Sequence, residues 1–182
     1  RSTAHRKLEA EQDHDNPTVS RDYCFLGQPD EQKTIPILAM RCHGTRVTFS
    51  LCAMQGTEHP YPAKQAVENL KQLGKKIILK SDQEPAILAI LREVKTASGI
   101  DIVIPECSPV GESQANGTIE RAVQSLEGQI RVLKDAVEES YKTEIESRHP
   151  VLAWLIQHAA FLITDELGVD GGTAYRRWKG KE

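Results

Sequence analysis

The sequence has few of the features that mark several protein classes. Its four cysteines are too few and too widely spaced for a disulfide framework, so a reducing compartment is expected. No apolar run approaches the roughly 18 residues that a membrane span needs, and the first residues do not form a secretory signal. The net charge of −3 argues against a histone-like protein that binds nucleic acid through basic tails.

The length and the hydrophobic content of the chain are sufficient for one folded domain. The chain has 182 residues, of which 39% are hydrophobic, so it can bury a substantial core. Residues 1–18 are polar and are expected to form a linker or a frayed segment, which leaves residues 19–182 for the domain. Because the chain begins with Arg1 rather than Met, we expect it to be a piece of a longer polyprotein.

The hydrophobic pattern changes from the strand period to a mixture of strands and helices. Strands are expected at 19–26, 35–42, 46–54, 76–80 and 100–104, and helices at 63–73, 85–97, 114–141, 150–167 and 174–179. The first three strands have short connections, which favours an antiparallel meander, whereas the short apolar strand 76–80 is typical of a buried parallel sheet. The sequence therefore predicts an α/β fold with a five-stranded mixed sheet flanked by helices.

The helix at 114–141 carries a narrow apolar stripe with steps of four and three residues. A coiled-coil seam would have the same steps. The stripe lasts less than three heptads, so packing against the sheet is the favoured interpretation.

Three acidic residues stand out by position among the 26 in the chain. Asp22 lies inside the first predicted strand, where an ionised carboxylate is costly without a partner. Asp82 directly follows the buried strand 76–80, and ligands bind at the carboxyl ends of such strands. Glu120 lies about 100° from Ile119 on the long helix, at the flank of its apolar stripe.

Carboxylates from two strands and a helix can hold hard divalent cations, because Mg²⁺ prefers oxygen ligands and shares the oxygens of a phosphate substrate. Two such ions about 4 Å apart can stabilise both the attacking and the leaving oxygen of an in-line phosphoryl displacement. Judged on residues alone, ordinary solvated surface charges remain the alternative for all three acids.

Two segments carry a resemblance to a known family. Residues Ser81–Pro85 and the motif Gln-x-Asn-Gly-x-x-Glu-Arg at Gln114–Arg121 resemble the catalytic cores of retroviral and retrotransposon integrases, the DDE polynucleotidyl transferases of the ribonuclease-H-like superfamily. The closing segment Asp170–Gly180 resembles the end of retrotransposon integrase cores. The resemblance extends from about residue 19 to residue 180.

The spacing of the three acids agrees with the family, with two departures. Asp22 and Asp82 are 60 positions apart, which is typical of the family. Asp82 and Glu120 are separated by 37 residues, slightly more than usual, which indicates a small insertion in the preceding loop. Glu84 stands two residues after Asp82, where the family commonly has glycine.

The resemblance implies a ribonuclease-H-like fold in which Asp22, Asp82 and Glu120 bind two Mg²⁺ or Mn²⁺ ions and carry the catalysis. The implied activity is metal-dependent trimming of the 3′ ends of retrotransposon DNA, followed by their transfer into target DNA. The implied partners are the element ends, the target DNA, and further copies of the chain in a homodimer or a higher oligomer, with no membrane. The protein would act in the nucleus, after a stage in a cytoplasmic particle.

Polar residues around Glu120 are candidates for contacts with DNA. Gln114 and Asn116 offer side-chain amides near a helix N-terminus, where an amide can bind a phosphate or a base edge. A helix cap and an ordinary loop amide are equally good interpretations of these two residues. Gly117 is expected to turn the backbone tightly into the helix. The predicted DNA-binding set is Gln114, Asn116, Gly117, Arg121, Gln124 and Arg131.

Three other interpretations compete with this one. A ribonuclease-H-type nuclease could use the same fold, and a non-catalytic derivative could serve only in DNA binding or assembly. Cys42, His43, Cys52 and His59 look superficially like zinc ligands, but no Cys-x-x-Cys pair accompanies them and buried thiols are the better explanation.

Overall fold

The computed structural model describes residues 16–27, 34–52, 61–80, 101–103, 113–146, 149–166, 168 and 170–180. The strands are β1 (Thr18–Leu26), β2 (Ile35–Cys42), β3 (Thr48–Cys52), β4 (Lys76–Lys80) and β5 (Asp101–Val103). The helices of the described residues are α1 (Tyr61–Lys71), α2 (Ser113–Tyr141), α3 (Val151–Asp165) and α4 (Ala174–Lys179). The predicted α/β class is confirmed.

The strands form one mixed sheet in the order β3-β2-β1-β4-β5. The first three strands are an antiparallel meander, as their short connections predicted, and β4 pairs in parallel with β1. The short β5 pairs in parallel with β4 and has only three residues, so β1 to β4 form most of the sheet. β1 is therefore the central strand, with one antiparallel and one parallel neighbour.

Helices cover both faces of the sheet, because alternate residues of each strand point to opposite sides. On one face, α1 packs against a cluster that includes Val19, Leu38 and Ile77. On the other, α2 and α3 pack against a cluster that includes Cys24 and Ile37. The apolar stripe of α2 is buried in this second cluster, so the helix packs on the sheet as predicted. No helix among the described residues is both long and apolar enough to cross a bilayer.

Several predicted boundaries differ from the observed ones, including the start of α1 at Tyr61 and the end of α3 at Asp165, and two of the differences have local backbone reasons. β3 begins two residues later than expected, because the turn before it ends with Arg46 in a left-handed conformation (φ 64°). α1 ends at Lys71 rather than Leu73, because the Leu73 N–H bonds to the Leu70 carbonyl in a turn and Gly74 follows with positive φ. The predicted helix at 85–97 and nearly all of residues 1–18 and 105–113 lie outside the described residues.

The outer edge of β3 is covered by a side chain of α3. The Oγ1 atom of Thr164 accepts a hydrogen bond from the Thr48 N–H at 3.0 Å and donates one to the Thr48 carbonyl at 3.1 Å. Both residues are buried. A little further along, the Ser50 hydroxyl donates to the Ile156 carbonyl at 2.6 Å. These bonds satisfy edge groups that would otherwise be buried without partners.

Replacing Thr164 by valine keeps the side-chain volume and removes both bonds to Thr48. We expect Thr164→Val to lower the free energy of unfolding by about 1–3 kcal/mol, the usual cost of leaving a buried polar group unsatisfied. Chemical denaturation measures this. Thr143→Val, at an exposed position, is the matched control and should change stability by less than about 0.5 kcal/mol. Equal effects of the two variants would contradict the assignment.

Candidate active site

Asp22 lies on the face of the sheet that α2 covers. Side chains of β1 alternate between faces: Val19 and Tyr23 pack on the α1 side, and Cys24 packs on the α2 side. Asp22 shares the side of Cys24 and pairs across the sheet with Ala39, which is buried in the same cluster. Asp22 is half-buried, and its Oδ1 accepts a hydrogen bond from the Tyr23 N–H at 2.8 Å.

Glu120 lies on α2 at the border between the buried and the solvent-facing sides of that helix. Its neighbours Ile119 and Ala122 are buried against the sheet, while Glu120 itself is exposed. The expected position on the flank of the apolar stripe is therefore correct. Asp22 and Glu120 project from two elements that pack against each other on one face of the sheet.

The orientation of α2 along β1 brings these two acids to the same end of the strand and helix pair. Leu133 and Val137, late in α2, pack with Leu26 at the end of β1. Further back, the charge of Glu127 reaches the Cys24 thiol. Towards the N-terminal end of both elements, Asp22 lies about 7 Å before Cys24 along the strand, and Glu120 lies about 10 Å before Glu127 along the helix.

The pKa of Cys24 shows that this region is shielded from water. Burial raises the pKa of its thiol to about 12, and the nearby negative charges of Glu127 and Asp22 add to that rise. A thiol with so high a pKa stays protonated at neutral pH and is a poor nucleophile or metal ligand. The raised pKa of Cys24 therefore indicates that carboxylates lie near it, and the thiol itself is not a candidate catalytic or metal-binding group.

A buried hydrogen bond lies two residues before Asp22 on the same strand. The Ser20 Oγ and the His43 Nε2 are 2.6 Å apart, and Ser20 is buried. Burial lowers the pKa of His43, and the positive charges of Lys80 and Arg41 lower it further. Lys80 ends β4 directly beside Ser20, so this bond fastens the turn after β2 to the place where β1 and β4 meet.

Asp82, the third predicted ligand, lies outside the described residues. Within the described part of the chain, no three His, Cys, Asp or Glu residues form a group that could hold a metal ion. Asp22 and Glu120 supply carboxylate oxygens, the donors that Mg²⁺ prefers, and the half-burial of Asp22 makes a cation a favourable partner. The described residues thus fit two of the three ligands of the predicted set.

The predicted DNA-binding residues divide into three groups. Gln114 and Asn116 lie in the first turn of α2. Arg121 and Gln124 are exposed, on the outer side of the same helix. Arg131 is exposed but already engaged, because its Nη2 lies 3.3 Å from the Glu127 Oε2.

The expectation that Gly117 turns the chain into the helix is wrong. α2 begins at Ser113, so Gly117 is an interior helical residue in its second turn. A Cβ atom added there would meet nothing within 4 Å. The helix starts earlier than the glycine signal indicated, and the local structure gives no conformational reason for glycine at this position.

The geometry excludes a zinc site shared by these cysteines, and the sequence argument also favoured buried thiols. Cys42 packs on the α1 face of the sheet and Cys52 on the α2 face, so the two thiols cannot bind one ion. His43 is hydrogen-bonded to Ser20, and His59 lies outside the described residues. Cys24, Cys42 and Cys52 are free thiols.

Sequence reasoning missed Ser20 and Glu127 in this region, and it considered His43 only as an apparent zinc ligand. Ser20 and His43 are 23 positions apart, and no local pattern connects them. Glu127 did carry a signal, because it stands seven residues after Glu120 and so shares its side of the helix. A cavity of about 180 Å³ lies at the outer edge of β3 between α1 and α3, but neither Asp22 nor Glu120 lines it.

Comparison with solved structures shows the fold. The HTLV-2 integrase catalytic core domain in complex with magnesium, in its dimeric form, superposes with a TM-score of 0.63 at 13% identity, covering 90% of this chain and 96% of that one. The catalytic core domain of BIV integrase gives a TM-score of 0.59 at 16% identity, covering 88% and 92%. No protein-family model and no curated protein matches the sequence. The chain therefore has the fold of a retroviral integrase catalytic core.

The lowered pKa of His43 predicts a dependence of stability on pH. Because the folded state favours the neutral imidazole, the unfolded chain binds more protons once the pH falls below about 6.5, the ordinary pKa of histidine. The contribution of His43 is therefore complete above that pH and is lost as the pH falls from there towards the lower folded pKa. We expect the thermal midpoint of the wild type to fall more steeply between about pH 7 and pH 5 than that of His43→Gln.

If His43→Gln and the wild type show parallel profiles, the Ser20–His43 bond does not link protonation to folding.

Proposed function

We propose that this chain is the catalytic core of a retrotransposon integrase. It would trim the 3′ ends of the element DNA and then join them to target DNA. The observation that carries the proposal is the convergence of Asp22 and Glu120 on one face and at one end of the β1–α2 pair, in a chain with the fold of retroviral integrase cores. This arrangement agrees with the Asp-Asp-Glu spacing in the sequence.

The register of the sheet supports Asp82 as the third ligand. Each described residue of β1 that pairs with β4 has a partner 60 positions later: Thr18 pairs with Ile78, and Ser20 with Lys80. Asp22 and Asp82 have the same separation of 60 positions. Under the proposal, Asp82 is the third ligand, because it has the same sequence separation from Asp22 as the paired residues of β1 and β4 have from each other.

Asp22, Asp82 and Glu120 would hold two divalent ions, Mg²⁺ or Mn²⁺. Bound there, the ions supply Lewis-acid stabilisation of negative charge on phosphate oxygens. The HTLV-2 cores were solved in complex with magnesium, which supports this choice of metal. In each proposed step an oxygen nucleophile, water or a DNA 3′-hydroxyl, forms a bond to phosphorus as the bond between phosphorus and the leaving 3′-oxygen breaks.

The outer side of α2 would hold the DNA strand near these carboxylates. Arg121 and Gln124 are exposed there and can contact phosphates, and Gln114 and Asn116 precede them in the first turn. Assembly into a homodimer or a larger oligomer is part of the proposal, since the HTLV-2 core has dimeric and trimeric forms. Action in the nucleus, where host DNA is present, is also part of the proposal.

An intasome structure supports assembly into a larger complex. The matched chain of the simian T-cell lymphotropic virus intasome gives a TM-score of 0.63 at 11% identity, and this chain covers 54% of its length. The activity of such a whole protein would therefore also depend on parts that the matched region leaves out.

The test is a strand-transfer and 3′-processing assay in Mg²⁺ or Mn²⁺, using the chain joined to its natural flanking domains. Asp22→Asn, Asp82→Asn and Glu120→Gln should each lower the rate by about 100-fold or more, because each removes a charged metal ligand worth several kcal/mol in the transition state. Glu139→Gln, on an exposed part of α2 further along, should retain wild-type activity. Full activity of Glu120→Gln, or cleavage confined to RNA–DNA hybrids, would contradict the integrase assignment.

The Glu127–Arg131 ion pair predicts a second effect on DNA binding. Glu127→Gln should free the Arg131 guanidinium for a phosphate and steepen the slope of log affinity against log salt concentration by about 0.9. Affinity for a short duplex, measured without turnover in Ca²⁺, should rise several-fold at low salt.

A double-mutant cycle separates the two charges. In an Arg131→Gln background, Glu127→Gln should raise the affinity much less, because no guanidinium is then released. An equal gain in both backgrounds would show that Glu127 acts only through its own repulsion of phosphate.

A further inference from the structure

The turn after β2 contacts the first part of β1 at two points, and His43 makes both contacts. The His43 N–H donates to the Thr18 carbonyl at 2.9 Å, and the ring Nε2 lies 2.6 Å from the Ser20 Oγ. In the described part of the chain, Thr18 and Ser20 are the first and the last of the β1 residues that pair with β4. His43 therefore contacts β1 at both ends of its junction with β4.

This junction is the shorter of the two that β1 makes. β1 pairs with β2 from Val19 to Leu26, but its described pairing with β4 extends only from Thr18 to Ser20. The last pair joins Ser20 to Lys80, and Asp82 comes two residues after Lys80 in the sequence. The contacts of His43 therefore reinforce β1 where its pairing is shortest.

The second contact also lies next to the carboxylate of the candidate active site. Ser20 and Asp22 are on the same face of β1, about 7 Å apart along the strand. Two planar peptide units join them, so the strand cannot rotate or shift at Ser20 without moving Asp22. Ser20 is 3% exposed, which places its bond to His43 in the interior, where water does not compete for it.

A carboxylate that binds a metal has to be held to within about 0.5 Å of its productive position. The Asp22 Oδ1 accepts a hydrogen bond from the N–H of Tyr23, which belongs to the same strand and moves with it. That bond orients the carboxylate relative to β1, but it does not determine where β1 itself lies. Contacts from other elements have to do this, and those of His43 come from the turn after β2.

We propose that His43 is a positioning residue for the proposed metal site, which acts on the Asp22 carboxylate through Ser20 and the backbone of β1. The inference rests on the proposed function, because Asp22 requires such precise placement as a metal ligand. It goes beyond the need of a buried hydroxyl for a partner, which the Ser20–His43 bond also meets.

Histidine suits this role because it supplies a ring nitrogen without a further positive charge. Burial and the positive charges of Lys80 and Arg41 lower the pKa of His43, so its imidazole is neutral at neutral pH. A cationic side chain in the same place would repel a divalent ion bound at Asp22.

The experiment measures binding of Mn²⁺ by electron paramagnetic resonance, using the chain joined to its natural flanking domains. Binding that Asp22→Asn abolishes defines the site. Ser20→Ala and His43→Ala should each weaken this binding by about 10-fold, the lower end of the range for residues that hold a metal ligand in place. Because both variants remove the same bond, the double variant should bind Mn²⁺ about as well as the weaker single variant.

His43→Gln is the conservative variant, because its amide nitrogen can still reach the Ser20 hydroxyl, and it should bind Mn²⁺ within about twofold of the wild type. Ser20→Ala removes one oxygen atom only, so it tests the proposal even if His43→Ala does not fold. Thr164→Val is the matched control for lost stability, because it removes a buried hydroxyl from the other edge of the sheet. It should leave Mn²⁺ binding unchanged.

Wild-type Mn²⁺ affinity in both Ser20→Ala and His43→Ala would overturn the inference. So would an equal loss of affinity in Thr164→Val, or a wild-type protein with no Mn²⁺ site that depends on Asp22. A protein that binds Mn²⁺ at this site and loses affinity as expected, but transfers no DNA strand, would count against the proposed function alone.

Discussion

The pairing of β1 on both of its edges is the constraint on which the rest of the structure depends. β2 pairs with it in antiparallel orientation from Val19 to Leu26, and β4 pairs in parallel with its first residues. Both faces of β1 are also covered by helices, so its register cannot slip by one residue without moving buried side chains to the wrong face. This fixes Asp22 on the α2 side and brings the end of β4 beside the strand that carries it.

The same constraint explains how the region around Asp22 can be both polar and ordered. Ser20, Asp22 and Cys24 occupy successive positions on one face, with a buried hydroxyl and a buried thiol on either side of the carboxylate. The Ser20–His43 bond fastens the turn after β2 at one end, and Glu127 approaches Cys24 at the other. A carboxylate in such a setting interacts strongly with any cation, because less water screens it than at an open surface.

Charge is distributed over the described surface in a way that the net value of −3 conceals. Along α2, Glu127 engages Arg131, and Lys134 engages Glu138, so positive charge on that helix is partly compensated. Near α4, the Arg177 guanidinium pairs with Asp170 and also donates to the Thr45 carbonyl, so it joins this helix to the turn between β2 and β3. A low net charge therefore does not by itself argue against binding of an anionic polymer, because attraction within a screening length depends on local charge.

The sequence by itself determined the order of the described elements and which of their residues are buried. Periodicity placed β2, β4 and α4 at their observed bounds and found the buried stripe of α2, because hydrophobic spacing follows directly from helix and strand geometry. It also singled out Asp22 and Glu120 by position. It did not find the ends of α1, the start of β3 or the end of α3, because these depend on local turns and capping that leave weak signals.

Only the tertiary structure decided which distant residues meet. The face occupied by Asp22, the Ser20–His43 bond, the separation of Cys42 from Cys52 and the union of α4 with the segment after α1 all follow from strand pairing and helix docking. Local sequence cannot specify such contacts, because they depend on how the whole chain buries its apolar surface.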